Sequence, residues 1–158
     1  MEKKFAEHKS LNLTDVNKEV LGMWKEKDIF HKSIDEKEGL PHFVFFEGPP
    51  SANGHPGIHH VMGRTIKDTI LRYKTMKGFQ VKRKAGWDTH GLPVELSVET
   101  SLGITKEDIG KKISVDDYNN ACRKNVMMYT DEWSQLTDKM GYWVDLEHPY
   151  ITYDNKYI

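Results

Sequence analysis

The sequence predicts an α/β fold built on an open parallel sheet. Two observations carry this. The run His42-Phe43-Val44-Phe45-Phe46 is short, aromatic and β-branched, and it does not alternate apolar with polar residues. That is the pattern of a buried strand in a parallel sheet. A Gly/Pro loop, a helical stretch and a second strand near Phe79 to Lys84 follow it. This strand–loop–helix–strand unit is long enough for a right-handed parallel crossover. Size agrees, since a chain of 158 residues can bury about 68–70% of its unfolded surface in one core and cannot build two large domains.

The elements follow in order. Residues 1–12 read as a polar arm. From Thr14 to Asp28, Val16, Val20, Leu21, Met23 and Trp24 recur near a 3.6 period, which predicts a helix. Residues 31–40 are polar, with Gly39 as a breaker. After the first strand, Gly48 to Pro56 holds two Gly and three Pro and is a loop. A helix is predicted from Gly57 to Met76, with Val61, Ile66, Ile70, Leu71 and Tyr73 as its apolar stripe and Gly78 at its C-terminal cap. Lys74-Thr75-Met76-Lys77-Gly78 fits the cationic end of that helix, where lysine complements the dipole. Gly86 to Glu95 is a loop opening a short helix. Thr105 with Asp108, and Ser114 with Asp117, are spaced like capping boxes. The longest helix is predicted from Val115 to Met140, with Met127, Met128 and Trp133 in the core and Gly141 ending it. One more strand is expected near Tyr150 to Tyr153.

Composition sets outer limits. Hydrophobic residues make up 37%, charged residues 30% and aromatics 11%, a soluble globular profile. With 23 Lys plus Arg against 24 Asp plus Glu the net charge is −1, which argues neither for nor against nucleic acid or a membrane surface. No run approaches the roughly 20 apolar residues of a membrane span, and the N-terminus has no apolar signal core. The single cysteine, Cys122, excludes an internal disulfide framework, makes a reducing cytoplasmic compartment the default, and fits a small buried apolar residue.

The chemistry is expected at one edge of the sheet. In parallel strands the loops Gly48–Pro56 and Gly86–His90 lie at the same carboxyl edge, where open α/β sheets bind ligands. The first loop feeds a helix N-terminus, a site for phosphate. His59 and His60 would lie in its first turn, able to donate to phosphate oxygens. Asp88 would project from the facing loop and hold a cation such as a substrate ammonium group. The loop is neither a Walker A sequence nor a G-x-G-x-x-G fingerprint, and by its residues alone it also fits a simple chain reversal. His55, His59 and His60, with His90 nearby, fit phosphate or ribose contacts, plain surface histidines or, less well, a zinc site, because no cysteine is close. Lys82, Arg83 and Lys84 read as a solvated strand end or as phosphate contacts.

At these motifs the sequence resembles a known family. Phe46-Glu47-Gly48-Pro49-Pro50-Ser51-Ala52-Asn53-Gly54, with the stretch ending at His60, is similar to the first signature of class I aminoacyl-tRNA synthetases. Gly86-Trp87-Asp88-Thr89-His90-Gly91-Leu92-Pro93-Val94-Glu95 is similar to the second block of the isoleucyl members. The likeness continues through Lys106-Glu107-Asp108-Ile109-Gly110-Lys111 and Met140-Gly141-Tyr142-Trp143-Val144-Asp145, and so spans almost the whole chain. Within the branched-chain group, Thr89-His90-Gly91 favours isoleucine. One position departs. The family's HIGH box reads His, apolar, Gly, His, whereas here it is Gly57-Ile58-His59-His60. The first His and the Gly are exchanged. Either His59 turns to replace the missing histidine or ATP binding is altered.

The resemblance implies a Rossmann-like parallel sheet with added helices, the first half of the synthetase nucleotide-binding fold. Residues 1–40 would be an N-terminal arm and helix, and 41–158 the first half of the catalytic domain, cut before the editing insertion and lacking the KMSKS loop and anticodon-binding domain. It implies ATP-dependent activation of isoleucine and transfer to tRNA(Ile), with Mg²⁺ carried by ATP, no protein-bound metal, no membrane, and a monomeric full-length enzyme in the cytoplasm. His59 and His60 would be the catalytic pair. Pro50, Ser51, Ala52, Asn53, Gly54 and His55 would bind ATP, continued by Pro56, Gly57 and Ile58 and the two histidines. Gly48, Pro49, Asp88 and His90 would form the amino-acid pocket. A partial chain without the lysine loop is expected to be slow or inactive, and half a sheet with an open edge is expected to self-associate. Two alternatives stay open: another nucleotidyl-transferring enzyme of the same fold, and a non-catalytic tRNA- or nucleotide-binding module.

Overall fold

The computed structural model describes residues 10–158; residues 1–9 of the expected polar arm lie outside the described residues. Three strands form one sheet in the order β1-β2-β3, with β1 at His42–Phe46, β2 at Gln80–Trp87 and β3 at Asp145–Ile151. Both pairings are parallel, as the non-alternating first strand predicts. The helices are α1 (Leu13–Glu26), α2 (Ile29–Asp35), α3 (Ile58–Met76), α4 (Leu92–Leu102), α5 (Val115–Val126) and α6 (Thr130–Met140).

Local chemistry explains most boundaries. Asn12 caps α1, its side chain accepting from the amides of Thr14 and Asp15. Asp28 adopts a left-handed conformation, φ +50°, which a short polar side chain tolerates. The helix expected to reach Asp28 therefore stops at Glu26, and α2 begins where a polar stretch is expected. The Asp-type capping box forms at Thr105, whose amide donates to Asp108 at 3.0 Å; at Ser114 only the N-cap half forms, the Asp117 amide donating to Ser114 Oγ at 3.0 Å. Gly78 takes φ +90° just past α3, and Lys74 at that end lies over the rings of Phe43 and Phe79.

Five expectations change. The long helix from Val115 to Met140 is two helices. The Tyr129 amide, which a continuous helix would direct to Asn125, donates instead to the Ala52 carbonyl at 2.9 Å, so a tertiary bond breaks the ladder and α3 becomes the longest helix. Met128 is consequently exposed, while Met127 packs on the core. β1 is an edge strand, with His42, Val44 and Phe46 exposed. Arg83 is no solvated strand end. It is 2% exposed, donates to Thr75 Oγ1 at 2.6 Å, and burial, partly offset by Asp68, lowers its pKa to about 10. Cys122 is half-buried rather than buried.

The fifth change matters most for function. α3 buries only part of its apolar stripe, chiefly Leu71. Ile66, Ile70 and Tyr73 are exposed, with Ile58 and Met62 in line with them. The side it buries is mostly polar: around Leu71, the residues Arg64, Lys67, Asp68, Arg72 and Thr75 recur at helical spacing and are buried or half-buried. They meet the polar groups of the sheet. Lys67 pairs with Glu47, Asp68 faces Arg83 and the Trp143 amide, and Arg72 stacks on Trp143 at 3.9 Å. Trp24 of α1 packs edge-on against the same Trp143 ring at 5.1 Å, which docks the N-terminal helices.

The core has two parts. Ala52, Trp87 and Trp133 form one, packed by Met127, Tyr129, Leu146 and Ile151. Ala85, Tyr142 and Val144 form the other. Between them, Gly86 of β2 lies beneath the ring of Tyr150 from β3, and a Cβ at Gly86 would run into that ring. Tyr150 cannot yield freely, because its hydroxyl donates to the Glu47 carbonyl and its ring stacks on Tyr157. Gly86→Ala is expected to cost about 1–3 kcal/mol by overpacking and to loosen the end of β1. A lowered urea midpoint with unchanged slope would verify this; an unchanged midpoint would refute it.

Candidate active site

The carboxyl ends of the three strands converge. The loop after β1 and the loop after β2 join directly: the Asp88 amide donates to the Pro50 carbonyl at 3.0 Å, and Ser51 and Asp88 form a short parallel bridge. The segment after β3 closes the row through the Thr152 amide on the Trp87 carbonyl at 3.1 Å. This is the edge where open α/β sheets hold ligands.

A cavity opens there, between the Glu47-Gly48-Pro49-Pro50 segment and the first two turns of α3, lined also by His59, His60, Arg64, Lys67 and Trp133. The His60 ring accepts the Gly57 amide through Nδ1 at 2.9 Å. That leaves Nε2 as the protonated nitrogen of the neutral ring, a donor. Burial, then the charges of His59 and Arg64, lower the His60 pKa. No acidic residue sits in the first turn of α3, and the first-turn amides of a helix have no intrahelical acceptor. The wall of the cavity is therefore a set of donors and positive charge, suited to phosphate oxygens.

The exchanged box has a geometric account. The His59 ring folds back over Gly57, so a Cβ at Gly57 would lie 2.9 Å from His59 Cε1 and 3.0 Å from Nδ1. His59 occupies space that a side chain at position 57 would need. Its ring centroid is 3.8 Å from that of His60.

The other expected residues separate into groups. Gly48, Pro49 and Pro50 line the cavity with the histidine pair. Ala52 is fully buried, and its carbonyl serves Tyr129. Asn53 donates to the Pro93 carbonyl at 3.4 Å, and Gly54 accepts the Trp133 indole N–H at 2.9 Å; both shape the loop. His55 turns away from His59 and His60, bonding Glu132 at 2.7 Å over the Tyr129 ring. Asp88 stands at the loop junction, 3.4 Å from Ser51 Oγ and 3.5 Å from the His90 amide. The His90 ring is steered by Thr152 Oγ1 at 2.9 Å, whose hydroxyl also meets Thr89.

Reading the sequence missed Glu47, Arg64, Lys67, Trp133 and Tyr142 as parts of this site. Arg64 and Lys67 lie four and seven residues beyond His60, on one helix face, so their spacing carried a signal. Trp133 and Tyr142 carried none, since they arrive from the far end of the chain. Trp133 is 1% exposed and gathers the site: Gly54 on its N–H, His60 edge-on at 4.7 Å, and the Arg64 guanidinium over its ring at 4.8 Å. Glu47 accepts both Lys67 and the Tyr142 hydroxyl. Burial first, and the Glu47 bond second, push the Tyr142 pKa up, keeping the phenol a donor.

Comparison with known proteins decides the family. The family model "tRNA synthetases class I (I, L, M and V)" matches residues 19–158. The chain belongs to the class I tRNA synthetases. Isoleucine–tRNA ligases of Bacteroides thetaiotaomicron and Porphyromonas gingivalis are 72% and 70% identical to it over all 158 residues; that of Dehalococcoides mccartyi is 50% identical over 147 residues, 93% of the chain. The chain spans 14% of the length of each of these relatives. A crystal structure of the ternary complex of Agrobacterium radiobacter K84 agnB2 LeuRS with tRNA and LeuAMS matches with a TM-score of 0.60 at 21% identity, covering 89% of this chain and 16% of that one, a likeness of fold. Class I synthetases use ATP, and the cavity's donors agree with an anionic ligand. No helix among the described residues is long and apolar enough to cross a membrane.

Proton titration separates the two perturbed histidines. Above about pH 6.5 His60 is neutral in folded and unfolded chains alike. Below that, the unfolded chain takes up a proton that the folded one resists, so this residue's contribution to stability is lost as pH falls. His31 is the reverse: its bond to Asp28 at 2.6 Å raises its pKa against a smaller desolvation, so its contribution is present in acid and lost as pH rises through the folded pKa. NMR titration is expected to give a midpoint below 6.5 for His60 and above 6.5 for His31. The opposite order would contradict the geometry.

Proposed function

We propose that this chain carries the amino-acid and ATP site of an isoleucine–tRNA ligase. The observation that carries the reading is the junction of Asp88 with Pro50 and Ser51, which puts one carboxylate beside a loop leading straight into the His59–His60 helix terminus. One ligand end is cationic and the other anionic there, as an amino acid and a nucleotide triphosphate require.

In this reading the isoleucine carboxylate attacks the α-phosphorus of ATP. A carboxyl–oxygen to phosphorus bond forms, the bond to the bridging oxygen breaks, and pyrophosphate leaves with the electron pair. The protein supplies no nucleophile; it orients the two reactants and stabilises charge. Asp88 holds the α-ammonium, with Gly48, Pro49 and His90 shaping the pocket. His60 Nε2–H, His59 and the first-turn amides of α3 hold phosphate oxygens, and the backbone from Pro50 to Ile58 holds the nucleotide. Mg²⁺ arrives on the phosphates. The cavity's free groups are donors or cations, and its one carboxylate, Glu47, is taken by Lys67 and Tyr142. Transfer to tRNA(Ile) completes the reaction in a full-length, monomeric cytoplasmic enzyme. There residues 10–40 supply the N-terminal helices α1 and α2, and 41–158 the first half of the catalytic domain ahead of the editing insertion. One extra methylene distinguishes isoleucine from valine by about 1–3 kcal/mol, so this pocket alone discriminates weakly.

Isoleucine-dependent exchange of pyrophosphate into ATP tests the reading, with valine and no-amino-acid controls. Exchange that needs isoleucine supports it. Exchange in the full-length protein that is indifferent to the amino acid refutes it.

A further inference from the structure

We infer that Glu47 is a positioning residue for adenylate formation, one buried carboxylate that sets the spacing and charge balance between the amino-acid pocket and the nucleotide-holding helix. The inference rests on the function proposed above.

Every polar group of Glu47 is engaged. Its amide donates to the Lys84 carbonyl at 2.8 Å, and its carbonyl accepts Tyr150. One carboxylate oxygen accepts Lys67 and the other Tyr142. The residue is 2% exposed and directly precedes Gly48 and Pro49, which line the cavity. Lys67 stands on α3 two turns past His60, about 10 Å along the helix axis. The ion pair therefore joins the pocket segment to the helix that carries the histidine pair. Tyr142 pins the same carboxylate from the α6–β3 connection, so the pair cannot rotate as a unit.

The charge account points the same way. Arg64 and Lys67 both line the cavity. Glu47 neutralises one of these two cations, leaving a net single positive charge beside the helix terminus. Glu47 is buried while Lys67 is a third exposed, and such a pair is a weak source of stability, because the carboxylate loses its hydration and solvent screens the lysine. The pair's position on the cavity wall gives it a role that apolar residues could not fill. Without the carboxylate, two uncompensated cations would face the triphosphate. Ground-state ATP binding would strengthen while the reacting phosphorus moved away from the carboxylate of the amino acid. Binding that is stronger in the ground state alone does not accelerate the reaction.

The test is steady-state pyrophosphate exchange by the full-length synthetase. Glu47→Gln keeps an acceptor for Tyr142 but removes the charge. It is expected to lower kcat at least tenfold while the KM for ATP falls about threefold. Glu47→Asp keeps the charge on a shorter arm, and is expected to hold the KM for ATP within about twofold while kcat falls by about threefold. Thermal unfolding of each variant reports the folded fraction. A fall in kcat accompanied by a fall in the KM for ATP supports the inference; a merely structural residue would lose activity only in proportion to folded protein. A Glu47→Gln enzyme with normal kcat, or with losses that track the folded fraction in both variants, overturns it while the wild type retains isoleucine-dependent exchange. A wild type without that exchange overturns the proposed function, and this inference with it.

Discussion

Asp88→Ala is expected to weaken isoleucine binding by about 3 kcal/mol, roughly a hundredfold in Kd, while ATP binding stays nearly unchanged. The carboxylate's partners in the structure are the Ser51 hydroxyl and the His90 amide. Both are neutral, so its charge is left for a ligand cation. Its backbone amide, which holds the two loops together through Pro50, survives the substitution. The groups proposed to hold phosphate lie on α3 and do not touch it. Asp88→Asn separates charge from hydrogen bonding and is expected to lose most of the same affinity. Calorimetric titration with isoleucine and with ATP, each alone, reads both effects. Normal isoleucine affinity in Asp88→Ala would remove Asp88 from the pocket.

Trp133→Ala is expected to be the most destabilising single change, at about 3–5 kcal/mol, or a fall of roughly 10 °C in Tm for a chain of this size. The indole fills the core cluster with Ala52 and Trp87, and truncation also frees Arg64 from its ring and Gly54 from its N–H. Trp133→Phe retains most of the burial and loses the Gly54 bond, and is expected to cost about 1 kcal/mol. Differential scanning calorimetry would rank the two. Equal losses would mean that the bond to Gly54, rather than packing, dominates.

What the sequence revealed, and what it hid, follow from the range of the interactions involved. β1, the loop after it and the start and end of α3 rest on local chemistry: a dense apolar run, Gly and Pro in a cluster, Gly78 at positive φ. The capping box at Thr105 and the N-cap at Ser114 are three-residue relations and are legible in the sequence, although the reciprocal half of the Ser114 box does not form. The break between α5 and α6 depends on Ala52, more than seventy positions earlier by number, and no periodicity could show it. The orientation of α3 does not follow from its apolar stripe, of which only Leu71 is fully buried. Its polar line instead meets Glu47, Arg83 and Tyr142, each already committed to the interior. For the site, motif resemblance picked out Gly48, Pro49, Asp88, His59 and His60. The groups packed against them, buried Glu47 and Trp133 and half-buried Lys67, are visible only in three dimensions. The exchange in the HIGH box shows both levels at once: the sequence displays a swap, and the fold-back of His59 over Gly57 shows why a residue without a side chain stands there.

The surroundings of Trp133 give the molecule an optical reporter of its own. An indole sealed from water emits at shorter wavelength, and nearby cations and imidazolium alter its yield. Trp133 has Arg64 over its face and His60 at its edge, while Trp87 packs beside it and can pass excitation to it. Trp24 and Trp143 sit apart, against Arg72, and supply a second, separate signal. Phosphate binding and histidine protonation at the site would thus change the emission of one tryptophan cluster, and movement of the N-terminal helices that of the other. Occupancy of the pocket and docking of α1 can then be followed in one unlabelled sample.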